Sequence, residues 1–330
     1  MRLMRPGLLW SVKRDVAKAT VPQIPIISRG LPFTASSAGG FGGGNAESNA
    51  IDSDYGTTWN SVFTPNDGSD EWYVLDMRGV SAGVKTSVWL IWKNWHGPTY
   101  QAAAALGPQP GSQFSGCPQN YKIQGHTSSG AQPALNDVGW VDLATVTNNR
   151  YNQRWHTGLN LSTYNWFRIR FSAANGVGGA TDSIELQFDL RDVSVNSSDS
   201  IIFYGDSITW EAFNARKPGN LAWVTVGPIE NALIAATGRS APPICIDAGI
   251  SGYDAPTGDT NKADYIGAYP NAKYCTLNFG SNDANLANID LNTLGGTGSA
   301  YAINFQAKMQ SMINYAVGLG MKCIIPKIPY

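Results

Sequence analysis

The texture of the chain changes near residue 200, and this change limits what the chain can fold into. Before it, short apolar runs at 72–75, 87–92, 121–124, 140–143, 166–171 and 184–190 are separated by Gly, Asn, Ser and Pro. Short alternating runs between turn residues predict an all-β sandwich or barrel. After it, 201–204, 243–248, 274–279 and 322–328 read as buried apolar strands. Between the last two, Ala302, Phe305, Met309, Met312, Ile313 and Ala316 keep a helical spacing that Gly318 and Gly320 can end. Strands alternating with helices predict a parallel sheet with crossover helices. A chain of 330 residues has room for both units. The reading is an extended Pro-rich arm over 1–32, a β-sandwich over 33–197 and an α/β domain over 198–330.

Charge narrows the choice of partner. There are 23 basic and 24 acidic residues, and charged residues are only 14% of the chain. A nucleic-acid groove or an anionic-membrane surface needs clustered Lys and Arg, so neither partner is expected. No run approaches the ~18–20 apolar residues of a membrane span. The basic start, 1–20, has an apolar stretch of only 7–10 and carries Asp15, so no secretory signal is read. The four cysteines, Cys117, Cys245, Cys275 and Cys323, form no C-x-x-C pair and read as small buried apolar residues rather than as a zinc site. The glycine run 39–44 lacks the strand before and helix after that a phosphate loop requires, and reads as a linker.

The segment that can carry chemistry is Ser200-Ile201-Ile202-Phe203-Tyr204 running into Gly205-Asp206-Ser207-Ile208-Thr209. A serine at the C-terminal end of a parallel strand is delivered to the crevice where open α/β sheets bind ligands. It can act as a nucleophile if a base takes its proton and donors hold the oxyanion. Taken alone, Gly-Asp-Ser is also an ordinary turn. Two further small-residue turns follow the next strands: Ala248-Gly249-Ile250-Ser251-Gly252-Tyr253 and Phe279-Gly280-Ser281-Asn282-Asp283. Three such loops can converge on one crevice. The N–H groups of Ser207 and Gly252 and the amide of Asn282 would then supply three oxyanion donors.

These three blocks, in this order and at this spacing, resemble the SGNH/GDSL hydrolases. The resemblance covers about residues 198–330. It implies a flavodoxin-like three-layer α/β/α fold and ester or acyl-transfer chemistry without an organic cofactor. It matches Ser207 to the nucleophile and Gly252 and Asn282 to oxyanion donors; Asp206 and Asp283 are read as turn-shaping. The family takes its base from an Asp-x-x-His block near the domain's C-terminus. Here the histidines are His96, His126 and His156, and none follows Ser207. The expectation is therefore a domain cut short before its catalytic Asp and His, with roughly 50–80 residues to follow. A pairing with that missing segment is also expected, and little or no esterase activity without it. A decayed enzyme, or a histidine lent by the sandwich, where His156 is the best-placed donor, or by another chain, are the other readings.

The β-rich half, from Ala50-Ile51-Asp52-Ser53-Asp54-Tyr55-Gly56-Thr57-Thr58-Trp59 through Glu71-Trp72-Tyr73-Val74-Leu75-Asp76 to the closing strands, is similar to discoidin-like (factor 5/8 type C, galactose-binding-like) jelly-roll modules. The similarity implies a structural calcium near Asp52, Asp54 and Thr57, helped by Asp192. The same loop also reads as a metal-free Asx-turn. Aromatic and polar residues in loop-like contexts, Trp95, His96, Tyr100, Tyr151, Arg154 and Trp155, suit a sugar by stacking and hydrogen bonding; each also reads as a packing residue.

Together these point to an esterase removing acyl groups, acetyl first, from a poly- or oligosaccharide held by the sandwich. Such work places the protein outside the cell or on a surface. The other readings are a non-catalytic binding protein with a decayed esterase fold, and an esterase or acyltransferase on small or lipid substrates, because a fold does not fix a substrate.

Overall fold

Alternation along β8 (Trp166–Asn175) shows how the first half is built. Phe167, Ile169 and Phe171 are buried in one apolar cluster, while Trp166, Arg168 and Arg170 take the alternate positions and face away from it. Residues two apart share a face of a strand, so one edge of the pattern must meet a core. β8 pairs antiparallel with β3 (Glu71–Asp76) and β5 (Cys117–His126). β1 (Phe33–Ala35) and β6 (Val141–Val146) complete a sheet of order β1-β3-β8-β5-β6. The second sheet runs β2-β9-β4-β7, from β2 (Trp59–Asn60), β9 (Glu185–Asp192), β4 (Val88–Lys93) and β7 (Gln153–Leu159), again antiparallel. Its Leu90, Trp92, Leu186, Phe188 and Leu190 meet Tyr73, Leu75, Tyr121 and Ile123 of the first sheet. The structure, a computed structural model, describes residues 23–37, 46–62, 70–94, 117–149, 151, 153–175, 184–213, 229–286 and 300–326.

The second half is the expected parallel α/β unit. β10 (Ser200–Gly205), β11 (Ile244–Gly249), β12 (Tyr274–Asn278) and β13 (Lys322–Ile324) form a parallel sheet of order β11-β10-β12-β13. The helices are α1 (Ser207–Glu211), α2 (Ile229–Thr237), α3 (Ala255–Tyr265), α4 (Ser281–Leu286) and α5 (Ala300–Gly318). In α5 the predicted spacing buries Met309, Met312 and Ala316 against the sheet's apolar cluster.

The two halves share one interface. All eight residues of β9 are buried, although the sequence Glu-Leu-Gln-Phe-Asp-Leu-Arg-Asp alternates polar and apolar. Its apolar face fills the sandwich, and its polar face is covered by the α/β half. Trp89, Ile91, Trp155 and Val193, on that same outer face, belong to the apolar cluster of the parallel sheet. β11 is an edge strand, and an open edge leaves unpaired backbone groups. The Gln153 side chain meets that edge as a neighbouring strand would: Nε2 donates to Cys245 O (2.7 Å) and Oε1 accepts from Asp247 N (2.9 Å).

Arg191, 2% exposed, donates to Pro242 O (2.8 Å), Asp189 Oδ2 (2.8 Å) and the Tyr55 hydroxyl (3.0 Å). Burial works against its charge, but Tyr55 and Asp189 outweigh that, so its pKa rises. The described part of the expected arm is fastened here too. Gln23 Oε1 accepts from Ser240 N (3.1 Å) and Ala241 N (3.2 Å), Ile27 N donates to Leu190 O (2.8 Å), and Ile24 is fully buried. The sandwich is thus a wall of the α/β unit.

Candidate active site

The site is built by three loops at the C-terminal ends of β10, β11 and β12. Asp206 turns the chain from β10 into α1: its Oδ1 accepts from Ile208 N at 3.0 Å as the helix N-cap. The same carboxylate accepts from the backbone N–H of Ser281, in the loop after β12. Burial raises its pKa, and these N–H bonds pull it back. Asp206 N donates to Asn278 O (3.2 Å), and Asn278 Nδ2 to Thr209 Oγ1 (3.0 Å). The first and third loops are therefore tied together three times. Ser207 stands half-buried as the first residue of α1, where the backbone N–H has no partner within the helix.

The second loop is held to both others. Ile250 N donates to Gly205 O (3.0 Å). A Cβ on Gly249 would lie 2.2 Å from Trp210 N, so only glycine lets α1 cross the end of β11 this closely. Asn282 Nδ2 donates to Tyr253 O (2.8 Å), and both oxygens of Asp283 accept from Ala255 N (3.0 and 3.1 Å). Burial raises the pKa of Asp283, and Asp254 and Asp206 add to that by repulsion. Gly252 is exposed, with φ +83, a conformation that glycine takes without strain; the space around it is open. One N–H of the Asn282 amide is spent on Tyr253, and its second N–H is a further donor. Asp206 and Asp283 act as the staples of the turns.

The histidines lie elsewhere. His156 is on the inner side of β7, opposite Trp155. Its Nε2 is 2.9 Å from the Tyr121 hydroxyl inside the sandwich, and burial, with Arg154 nearby, pushes its pKa down to about 3. It faces away from the α/β half, so the reading of His156 as a lent base is corrected. His126 sits on the outer face of the other sheet, 3.3 Å from Asp137 Oδ1 and edge-on to Trp140. His96 lies outside the described residues. Among the described residues, no histidine stands at Ser207.

Of the sugar-binding candidates, Trp95, His96 and Tyr100 also lie outside the described residues. Arg154 and Trp155 are strand residues of β7 rather than loop residues. Trp155 is 8% exposed, 4.9 Å from the Trp89 ring and 5.4 Å from that of Tyr269. Tyr151 meets Tyr269 edge-on at 6.4 Å, and Arg154 lies over the Tyr151 ring at 5.4 Å. Tyr269 also donates to Gln153 O (2.7 Å). This aromatic group joins the two halves, and the Trp155 face is not open to a sugar. Sequence alternation gave no sign that an outward Trp would be covered by a second domain.

The four expected calcium ligands are not assembled. Asp52 accepts from Asp54 N (2.8 Å) and Thr57 Oγ1 (2.8 Å), and Asp54 Oδ1 accepts from Gly56 N (2.9 Å) and Asn231 Nδ2 (2.7 Å). The loop is a closed set of Asx-turns that also docks α2. Asp192 is remote: Gln187 reaches Asp54 O, and Asp192 lies five residues further along β9, about 17 Å at ~3.4 Å per residue. Asp192 instead accepts from Ser194 N (2.9 Å) and Oγ (2.5 Å). The described residues contain no group of three or more His, Cys, Asp or Glu placed to hold a metal. Millimolar calcium is expected to leave the melting temperature unchanged; a rise of several degrees, lost on mutating Asp52, would restore the metal site.

No protein-family model matches the chain, and no curated protein matches it. Among solved structures it is similar to chitosan-binding module 1 of a chitosanase/glucanase from Paenibacillus sp. IK-5, at 20% identity and a TM-score of 0.34, over 50% of this chain and 98% of that one. It is similar to the family 32 carbohydrate-binding module of NanJ from C. perfringens, solved with galactose, at 16% identity and a TM-score of 0.31, over 49% and 93%. It is also similar to a candidate acylhydrolase from Bacteroides fragilis, at 16% identity and a TM-score of 0.24, over 38% of this chain and 46% of that one.

Proposed function

We propose that the α/β half is a serine esterase of the SGNH/GDSL type, with Ser207 as nucleophile, and that it removes acyl groups from carbohydrate bound through the sandwich. The observation that carries this reading is the stitching of the loops after β10, β11 and β12 through Asp206, Asn282 and Asp283. It holds Ser207, Gly252 and Asn282 at one end of one sheet. In the proposed reaction the Ser207 oxygen attacks the ester carbonyl. The N–H groups of Ser207 and Gly252 and the Asn282 amide hold the oxyanion, and the alcohol leaves. The Ser207 proton passes to a base, which the described residues do not place there, and from it to the leaving alcohol; water then cleaves the acyl-serine, releasing the acid and restoring Ser207.

The experiment uses imidazole as an external base. The 330-residue chain alone is expected to hydrolyse p-nitrophenyl acetate barely above background. Added imidazole should raise the rate by more than its own solution catalysis, and Ser207→Ala should remove that excess. Equal rates for the parent and Ser207→Ala at every imidazole concentration would discard the esterase reading. The second reading, a binding protein on a decayed esterase fold, draws on the distance of His126 and His156 from Ser207; it predicts those equal rates.

A further inference from the structure

The outer face of the β1-β3-β8-β5-β6 sheet carries an open hollow of about 360 Å³, at the lower end of the ~300–1,000 Å³ of small-molecule sites. Its walls are β5, β6, β8 and the loop that joins β5 to β6. The α/β half packs on the outer face of the other sheet, so the hollow points away from Ser207, with the sandwich core of ~10 Å between the sheets.

The floor is rigid and polar. Arg168 is 1% exposed, lies 4.0 Å from the centre of the Trp140 ring, and donates to Gln124 Oε1 (2.8 Å) and Leu135 O (2.8 Å). Gln124 Nε2 in turn donates to Asp142 Oδ1 (2.7 Å), and Lys122 Nζ to Asp142 Oδ2 (2.7 Å). Arg170 is fixed by Asp70. Lys122 lowers the pKa of Asp142, and the Gly139 N–H, with His126, lowers that of Asp137. Both therefore face the hollow as carboxylates at neutral pH. At the rim, Leu135 and Val138 expose apolar side chains; Val138 is fully exposed.

We infer that this hollow is a second binding site of the protein and that it takes a neutral oligosaccharide. Three features point to that class. Each carboxylate oxygen, the Lys122 ammonium and the Arg170 guanidinium keep hydrogen-bonding capacity after their mutual bonds, so donors and acceptors stand side by side in fixed positions. Adjacent sugar hydroxyls present the same alternation. Asp137 and Asp142, set between Lys122, Arg168 and Arg170, offset most of the positive charge and repel phosphate and sulfate groups, so the hollow lacks the clustered cations that nucleic acid and strongly sulfated chains need. The apolar rim suits the C–H face of a sugar ring. Because the hollow is turned away from Ser207, it anchors a polymer and does not deliver the sugar that is deacylated.

The inference rests on the reading of the sandwich as the carbohydrate-holding half, and the test separates the two. The intact chain is applied to a microarray of plant, microbial and animal glycans, and the best neutral glycan is then titrated by calorimetry. Asp142→Ala with Arg170→Ala, and separately Val138→Asp, should each weaken binding at least tenfold. Val317→Asp, an exposed change on α5, should not alter it. Val138 touches no core, so its substitution reports on the hollow even if the double variant unfolds. Unchanged binding by Val138→Asp and by a folded double variant would place the sugar elsewhere and overturn the inference, while the carbohydrate reading stands. Binding to no glycan would overturn both. Binding confined to sulfated glycans would overturn the neutral class.

Discussion

Arg191→Ala is expected to destabilise the protein by about 3–5 kcal/mol, the cost of leaving a buried charge without its partner. The carboxylate at stake is Asp189, 7% exposed and bonded to Arg191 Nη2 and to the Tyr55 hydroxyl at 2.6 Å. Arg191 also bonds Pro242 O, so its loss opens the junction between the sandwich and the parallel sheet. Arg191→Met combined with Asp189→Leu should recover most of the loss, because an apolar pair of similar volume needs no compensating charge. Denaturant unfolding of the three chains measures this. If Arg191→Ala matches the parent within about 1 kcal/mol, the interface is not the buried, charge-paired seam described above.

Asn282→Ala is expected to slow the imidazole-assisted acetyl transfer by about 10²–10³, the usual effect of removing one oxyanion donor. The amide has a second task, its bond to Tyr253 O, so some stability goes with it. A hydrogen bond of that kind contributes about 0.5–1.5 kcal/mol. A structural role alone would lower the melting temperature and leave the rate per folded molecule unchanged. A donor role lowers kcat with KM nearly constant. Kinetics on the folded variant at low temperature separate the two, and an undiminished kcat removes Asn282 from the proposed oxyanion hole.

The parts of this architecture that follow a local rule were legible in the sequence. Phe167, Ile169 and Phe171 alternate with polar residues as a half-buried strand must, and Met309, Met312 and Ala316 repeat at the helical period. The three loops of the candidate site were legible because small residues follow each buried strand. What alternation does not reveal is what covers the polar face. In β9, Gln187, Asp189 and Arg191 look like solvent-facing positions, yet the α/β half buries them and turns them into a seam. Trp155 reads in the sequence as a loop aromatic open to a sugar, but it lies on β7 and Tyr269 occupies its face. The resemblance to discoidin-like modules implies that Asp192 joins Asp52 and Asp54, but its position along β9 keeps it out of their reach. The hollow over Arg168 depends on how the loop between β5 and β6 folds back, which no periodicity encodes.

The most direct measurement is the site of acetylation. The chain is incubated with p-nitrophenyl acetate and imidazole, quenched, digested and read by peptide mass spectrometry. If the hydroxyl at the head of α1 faces donors from both neighbouring loops, the acetyl group accumulates on Ser207, well above Ser251 and Ser281 in those loops, and falls with Asn282→Ala. Acetylation of Ser207 no greater than that of Ser251 or Ser281 would contradict the account.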